Sequence, residues 1–295
     1  MAWGPDLQLF LSIAVDALAY GMVLFIISIG LSLTMGLIRV VNLAHGAFAM
    51  IGGYIASYLG QTYGLPYPIL IVAAVLGTIA IAVPVERVLY RRIYGRPELT
   101  QVLMTIGITF IVIGVVNYIF GPTLKTIPLP DGLRAPTDIG FRSIATHRLF
   151  AILCGLAIVA GLWILIERTG FGVRLRAAVD NASMAAALGV RTETVYALSF
   201  ALAMGLAAFG GVVGAELLPL EPYYALRYMV TFLVVVCVGG AGSIPGALVA
   251  CLVLGAVDTT GRYLMPDFGE FFFYLAVILI ILVFPRGLMG KAAQS

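Results

Sequence analysis

Two histidines, three cysteines and a thin scatter of carboxylates are all that this 295-residue chain offers to covalent or acid–base chemistry. Nucleophilic catalysis needs a Ser or Cys held beside a His that a carboxylate orients, and neither that arrangement nor an HExxH zinc motif is present. Cys154, Cys237 and Cys251 sit inside apolar runs without CxxC spacing, so they read as packing residues, and no metal or haem pattern exists. GxxxxGK[ST] is absent, and the glycine-rich GGAGSIPG lacks the lysine that would reach a phosphate. No catalytic residue, resident metal or directly bound cofactor is expected, and nothing points to nucleic acid. If ATP and Mg drive this protein, another polypeptide uses them.

What remains is a set of polar groups placed among apolar neighbours. Asp16, Glu216 and Asp258 are isolated acids in or near apolar runs, and an ionisable group at membrane depth is costly enough to be read as functional by default. Asn42 and His45 lie three apart on one helical turn at a membrane boundary, where they either cap the following helix or line a pathway. Gly239, Gly240 and Ser243 belong to a glycine turn between two short apolar runs; irregular backbone at that depth is tolerated only when buried in protein or lining a wet cavity. Asp16, Asn42, His45, Gly239, Gly240, Ser243 and Asp258 are therefore the candidate translocation-pathway residues.

A different kind of signal runs from Glu167 to Glu193, the long polar interruption ERTGFGVRLRAAVDNASMAAALGVRTE. A basic stem (Arg168, Arg174, Arg176) leads to Asp180 and Asn181, both good helix N-caps. Ala-rich, strongly helix-forming sequence follows, and Gly189 is a natural C-terminal stop ahead of Arg191. Met184 and Leu188 at i,i+4 put two apolar knobs on one face, next to Ala185 and Ala186. Two turns of helix are marginal alone, so this one needs a surface to pack on, its own bundle or a partner's groove.

The elements that position these groups are membrane helices. With 62% hydrophobic and 11% charged residues and a mean hydropathy of +1.08, the chain is far from a soluble domain's roughly 25% charge. An all-α, polytopic transmembrane bundle of about eight spans is expected, forming one transmembrane domain over residues 1–295. Spans are read near 7–38 (too long for one upright helix, so tilted, broken or partly interfacial), 46–63, 68–90, 99–120, 149–166 and 195–218, then short runs at 229–238 and 247–257, re-entrant or tilted, and a last span at 271–284. The N-terminus carries no basic n-region or cleavage site and reads as uncleaved. The Pro/Gly-rich stretch 121–143 reads as a surface loop.

Charge orients the bundle. If Arg87–Arg96 are cytoplasmic, parity puts Arg168–Arg191 and the tail with Arg286 and Lys291 there too; with Arg39, eleven of the seventeen Lys and Arg share that side, against Lys125, Arg134, Arg142, Arg148, Arg227 and Arg262. The positive-inside rule then gives a cytoplasmic C-terminus.

Three ordered blocks, GLSLTMGLIRVVNLAHGAFAMIGGY, RTGFGVRLRAAVDNASMAAALGV and VGGAGSIPGALVACLVLG with a terminal FPRGLMGK, resemble the "H"-type permease subunits of bacterial high-affinity branched-chain amino-acid ABC importers over essentially the whole chain. The resemblance implies an inner-membrane machine with a second homologous permease, two cytoplasmic ATPase subunits and a periplasmic or extracellular substrate-binding protein. It also implies that Asp180–Gly189 is the coupling helix. The general importer motif reads EAA followed three residues later by Gly; Ser183, Met184, Ala185 and Gly189 match it without the glutamate, leaving Asp180 and Arg191 as polar contacts. An ion-coupled secondary transporter acting alone, resting on Asp16 and Asp258, and a non-transport membrane scaffold are the competing readings.

Overall fold

A computed structural model describes residues 5–38, 40–138, 140, 142–285 and 287–289; Arg39, Arg286 and Lys291, which entered the charge count above, lie outside the described residues. The chain is helical almost throughout because in lipid every backbone polar group must be paired within the protein. Among the described residues there are twelve α-helices: α1 (Pro5–Leu33), α2 (His45–Tyr63), α3 (Tyr67–Val88), α4 (Glu98–Phe120), α5 (Asp131–Arg134), α6 (Thr146–Arg168), α7 (Gly170–Asp180), α8 (Ala182–Ala187), α9 (Thr192–Val213), α10 (Tyr224–Gly239), α11 (Ile244–Leu264) and α12 (Gly269–Val283). Six of the described helices are long and apolar enough to cross a bilayer, with α10 and α12 as shorter apolar helices.

Several elements depart from the sequence reading. The first tract is not broken: α1 runs uninterrupted for 29 residues, about 44 Å, and ends in a π-helical turn, Thr34–Ile38. The short run expected at 247–257 is the centre of a 21-residue helix, because Asp258 and Arg262 continue α11 as an i,i+4 ion pair instead of ending it. The loop over 121–143 contains α5 and most of a two-stranded antiparallel hairpin, β1 (Pro136–Asp138) against β2 (Ser143–Ala145).

Burial separates two layers. The central windows of α1 and α9 are 61% buried, whereas those of α3, α4 and α6 are only 22–28% buried and turn Leu103, Phe110, Ile111 and Leu153 outward. Helix α2 is interior as well, packed against α3, α9 and α10. Close packing of small residues, not hydrophobicity, is what joins helices in lipid. Gly52 illustrates this: a Cβ there would lie 2.6 Å from the Cα of Ala208 on α9.

Ahead of α2, residues 40–44 are not helical. Residues 40–44 run along α4, and that helix presents Gln101, Thr105 and Thr109, one turn apart, to their backbone. Gln101 Oε1 accepts from Val41 N at 2.9 Å and Thr105 Oγ1 accepts from Leu43 N at 3.2 Å, while Thr109 Oγ1 lies 3.5 Å from the Leu43 carbonyl oxygen. Side chains of α4 thus take over the pairing that a helix would have supplied internally, which is what allows non-helical backbone inside the bundle.

The two ends of the bundle differ. At one end the π-helical turn after α1, the α3–α4 connection, α7–α8, the α10–α11 turn and Gly287–Met289 gather together. Arg91 bridges Glu86 (3.4 Å) and Glu193 (2.9 Å), Gly242 N donates to the Ser32 carbonyl (3.1 Å), and Leu288 N donates to the Val238 carbonyl (2.7 Å). The N-terminal part of α1, the 121–145 segment, residues 214–223 and the α11–α12 connection form the other end.

A polar cavity and a capped helix at opposite ends

At the end away from the arginine-rich loops the bundle holds a half-open cavity of about 690 Å³, and its lining includes Asp16 and Tyr20 of α1, Arg148 of α6, Arg227 and Tyr228 of α10, and Asp258, Arg262 and Tyr263 of α11. Helix α1 projects Asp16 into it. The carboxylate pairs with Arg148, accepts from Tyr263 Oη at 2.5 Å and meets Arg142 Nη1 at 3.3 Å. Arg142 also donates to Tyr263 Oη at 3.0 Å. That hydrogen bond, together with the Asp16 carboxylate and against partial burial, holds the Arg142 guanidinium more firmly protonated than usual. Asp258 accepts from Arg262 Nε at 3.0 Å.

Two acids singled out in the sequence are therefore brought into one cavity, each paired with arginine. Such a surface is polar and presents both signs of charge, two carboxylates and three arginines, suited to a small solute that itself carries both signs. A bare cation would have to displace the arginines first. Among the described residues no group of three His, Cys, Asp or Glu is placed to hold a metal ion. Glu216 lies exposed in the turn after α9.

Asn42 and His45 lie deeper. Asn42 Oδ1 accepts from Ala44 N (3.1 Å) and from Tyr90 Oη (2.7 Å), and His45 Nε2 pairs with the Ile27 carbonyl (2.7 Å). Both are essentially fully buried. Gly239, Gly240 and Ser243 lie apart from the cavity: the first two close α10, and Ser243 caps α11 by accepting from Gly246 N at 3.1 Å. Cys251 is buried and Cys154 partly so, but Cys237 is exposed on α10, unlike the packing residue its apolar run suggests.

At the opposite end, α7 and α8 form an elbow. The stem expected as a basic lead-in is itself a helix, α7, that continues through Asp180, so Asp180 closes α7 and does not cap α8. Only Asn181 stands where its side chain reaches the free amide of Met184, at 3.0 Å. Gly189 adopts φ of 87°, a left-handed conformation that ends α8 at little steric cost. Leu175, Ala178 and Val195 bury a small core that fixes the elbow to the start of α9, and Tyr196 Oη donates to the Ala178 carbonyl at 2.9 Å. Ala185 is buried, whereas Met184 (58%) and Leu188 (78%) stay exposed; Asp180, Ala186 and Arg191 are also exposed. Two apolar side chains on a short, well-fixed helix form a surface suited to a partner.

Sequence reasoning passed over Arg142, Arg148, Tyr263 and the Gln101–Thr105–Thr109 row. The row carries a readable signal, three polar side chains at i, i+4 and i+8 in a span. The arginines were visible only as charges on the less basic side.

Comparison with known proteins places these features in a recognised context. Residues 13–284 match the family described as the permease component of the branched-chain amino acid transport system. The high-affinity branched-chain amino acid transport system permease protein LivH of Salmonella typhimurium is 28% identical over 96% of this chain and 96% of its own. The corresponding protein BraD of Pseudomonas aeruginosa is 27% identical over 97% of this chain and 98% of its own. Among solved structures, a chain of PsaBC from Streptococcus pneumoniae, determined in complex with a Fab, shares the fold with a TM-score of 0.52 at 14% identity, covering 91% of this chain and 89% of that one.

Proposed function

The chain belongs to the permease-component family of branched-chain amino acid transport systems, a non-catalytic translocation subunit of an ABC importer, and from that premise we propose that it moves branched-chain amino acids or related small polar solutes into the cytoplasm by alternating access. Urea, short amides and aromatic carboxylates are within the same chemical range. Its partners in this reading are a second homologous permease, two cytoplasmic ATPase subunits that use ATP and Mg, and an external substrate-binding protein that hands cargo to the cavity end. The arginine-rich end faces the cytoplasm, in line with the positive-inside rule.

One arrangement carries the reading: a cavity lined by both carboxylates and arginines at one end and, at the other, a short capped helix with exposed Met184 and Leu188. Helix α8 is joined through α7 to α6 and, across the four residues 188–191, to α9, and the small core of Leu175, Ala178 and Val195 ties α7 to α9, so a displacement of α8 is passed to two membrane helices. Met184, Leu188 and the small Ala186 enter an ATPase groove, flanked by Asp180 and Arg191. Closure of the ATPase dimer moves α8, and the bundle reopens toward the cytoplasm.

The test is ATP hydrolysis by the reconstituted complex. Gly189→Pro combined with Met184→Asp changes the exposed helix and its stop while leaving the buried Ala185 in place. The complex is expected to lose its substrate-stimulated hydrolysis, with the permease still folded in the membrane. Unchanged stimulated hydrolysis in an assembled complex overturns the coupling role.

A further inference from the structure

Two buried polar atoms point to a site that the cavity does not include. Asn42 Nδ2 and His45 Nδ1 have no hydrogen-bond partner, although the remaining polar atoms of both side chains are used. Because the Ile27 carbonyl can only accept, a neutral His45 carries its proton on Nε2, and Nδ1 is a bare acceptor. Asn42 Nδ2 is a donor. The two residues that carry these groups, opposite in hydrogen-bonding sense, line one narrow slot together with Leu31, Leu43, Met229 and Phe232, and the slot has no room for a water-sized sphere.

Each unpaired buried group costs about 1–3 kcal/mol, a cost that an apolar side chain of similar size would avoid. What distinguishes this pair is the wall in front of it. Helix α10 supplies Arg227, Tyr228 and Thr231 to the outer cavity and Met229 and Phe232 to the slot, so one helix separates the two spaces. At 16 residues, about 24 Å, it is too short to span the roughly 30 Å hydrocarbon core upright. It is bounded on one side by the non-helical stretch 214–223 and on the other by the turn 240–243.

We propose that Asn42 and His45 form an occluded binding site for a small zwitterion, uncovered when α10 draws away from α2. The carboxylate accepts from Asn42 Nδ2, the ammonium donates to His45 Nδ1, and the apolar part of the solute lies against Leu31 and the vacated places of Met229 and Phe232. The proposal rests on the permease reading and adds to it a second station on the path, with α10 as the partition.

The test uses the complete complex with its ATPases in proteoliposomes. Met229→Cys, in a Cys237→Ser background, is challenged with a small cationic methanethiosulfonate, at rest and during ATP hydrolysis. The label is expected to react at least about tenfold faster during hydrolysis; equal rates overturn the proposal. His45→Gln keeps an amide nitrogen where Nε2 meets the Ile27 carbonyl and removes the Nδ1 acceptor. If the ring serves only as a structural strut, uptake of radiolabelled L-leucine by this variant equals that of the parent. If Nδ1 holds the ammonium, uptake falls about tenfold or more, the loss expected for a hydrogen bond to a charged group, while the complex still assembles. Parent-level uptake by His45→Gln overturns the proposal and leaves the permease reading intact, whereas a parent complex whose ATP hydrolysis ignores the permease removes that reading first. Should the parent take up no L-leucine, the labelling comparison decides by itself.

Discussion

Thr105→Val is a sharp probe of how the non-helical backbone between α1 and α2 is held. Val has the shape of Thr without the hydroxyl, so packing is conserved and one function is lost. In the parent, Thr105 Oγ1 accepts from Leu43 N (3.2 Å) and returns its proton to the Gln101 carbonyl (2.9 Å). The second bond only duplicates one the helix already makes. The first satisfies an amide that has no helix to turn to. An ordinary side-chain hydrogen bond between membrane helices contributes about 0.6 kcal/mol, whereas a buried backbone donor left unpaired costs about 1–3 kcal/mol. Thr105→Val should therefore lower the unfolding free energy by about 1–3 kcal/mol. Adding Gln101→Leu, which strands Val41 N as well, should roughly double the loss. Denaturant titration of the purified protein in mixed micelles, followed by intrinsic fluorescence, measures both. A loss below about 0.5 kcal/mol for Thr105→Val would refute the reasoning, since it would mean that Leu43 N finds another partner or that the segment is not held by α4.

Two further substitutions test packing and charge. Gly52→Ala places a Cβ 2.6 Å from backbone of α9 and should cost about 1–3 kcal/mol in the same titration. Gly107→Ala on α4, where a Cβ meets nothing within 4 Å, should be neutral or stabilising by up to about 1 kcal/mol. Asp16→Asn leaves Arg142 and Arg148 without their carboxylate; because these arginines are 31–37% exposed, the loss should be nearer 1 kcal/mol than the roughly 3–5 kcal/mol of a fully buried pair. A loss above about 3 kcal/mol would mean that the network is sealed from water.

Much of the bundle was legible in the residues because lipid imposes one rule, continuous apolar length, and α3, α4, α6 and α12 obey it to within a few residues of their expected ends. Where expectation and structure diverge, a polar residue was paired within the protein instead of marking an edge. Asp258 looked like the limit of a short run and instead continues α11, paired with Arg262. Asp180 looked like an opening cap because Asp caps well in isolation, yet α7 reaches it first and Asn181 takes that position. The outer cavity was half visible. Asp16 and Asp258 stood out as acids in oil, but Arg142 and Arg148 are distant in sequence from Asp16, and only the fold brings them to it. Thr105 and Thr109 were passed over for another reason: threonine is nearly neutral in hydropathy, so their spacing with Gln101 stands out little from an apolar span, and their partners are backbone atoms.

The polar row on α4 also says something about how the protein is made. Residues 40–44 leave the ribosome some sixty residues ahead of Gln101, Thr105 and Thr109, an interval of roughly 3–12 s at about 5–20 residues per second. During it, the amides of Val41 and Leu43 have no place in hydrocarbon, and α2, absent from the six helices with the length and apolarity of a free-standing span, has little pull of its own toward lipid. The stretch from α1 to α4 must then enter the bilayer as one unit, with α2 waiting in a wet or protein-lined space until its brace has been synthesised.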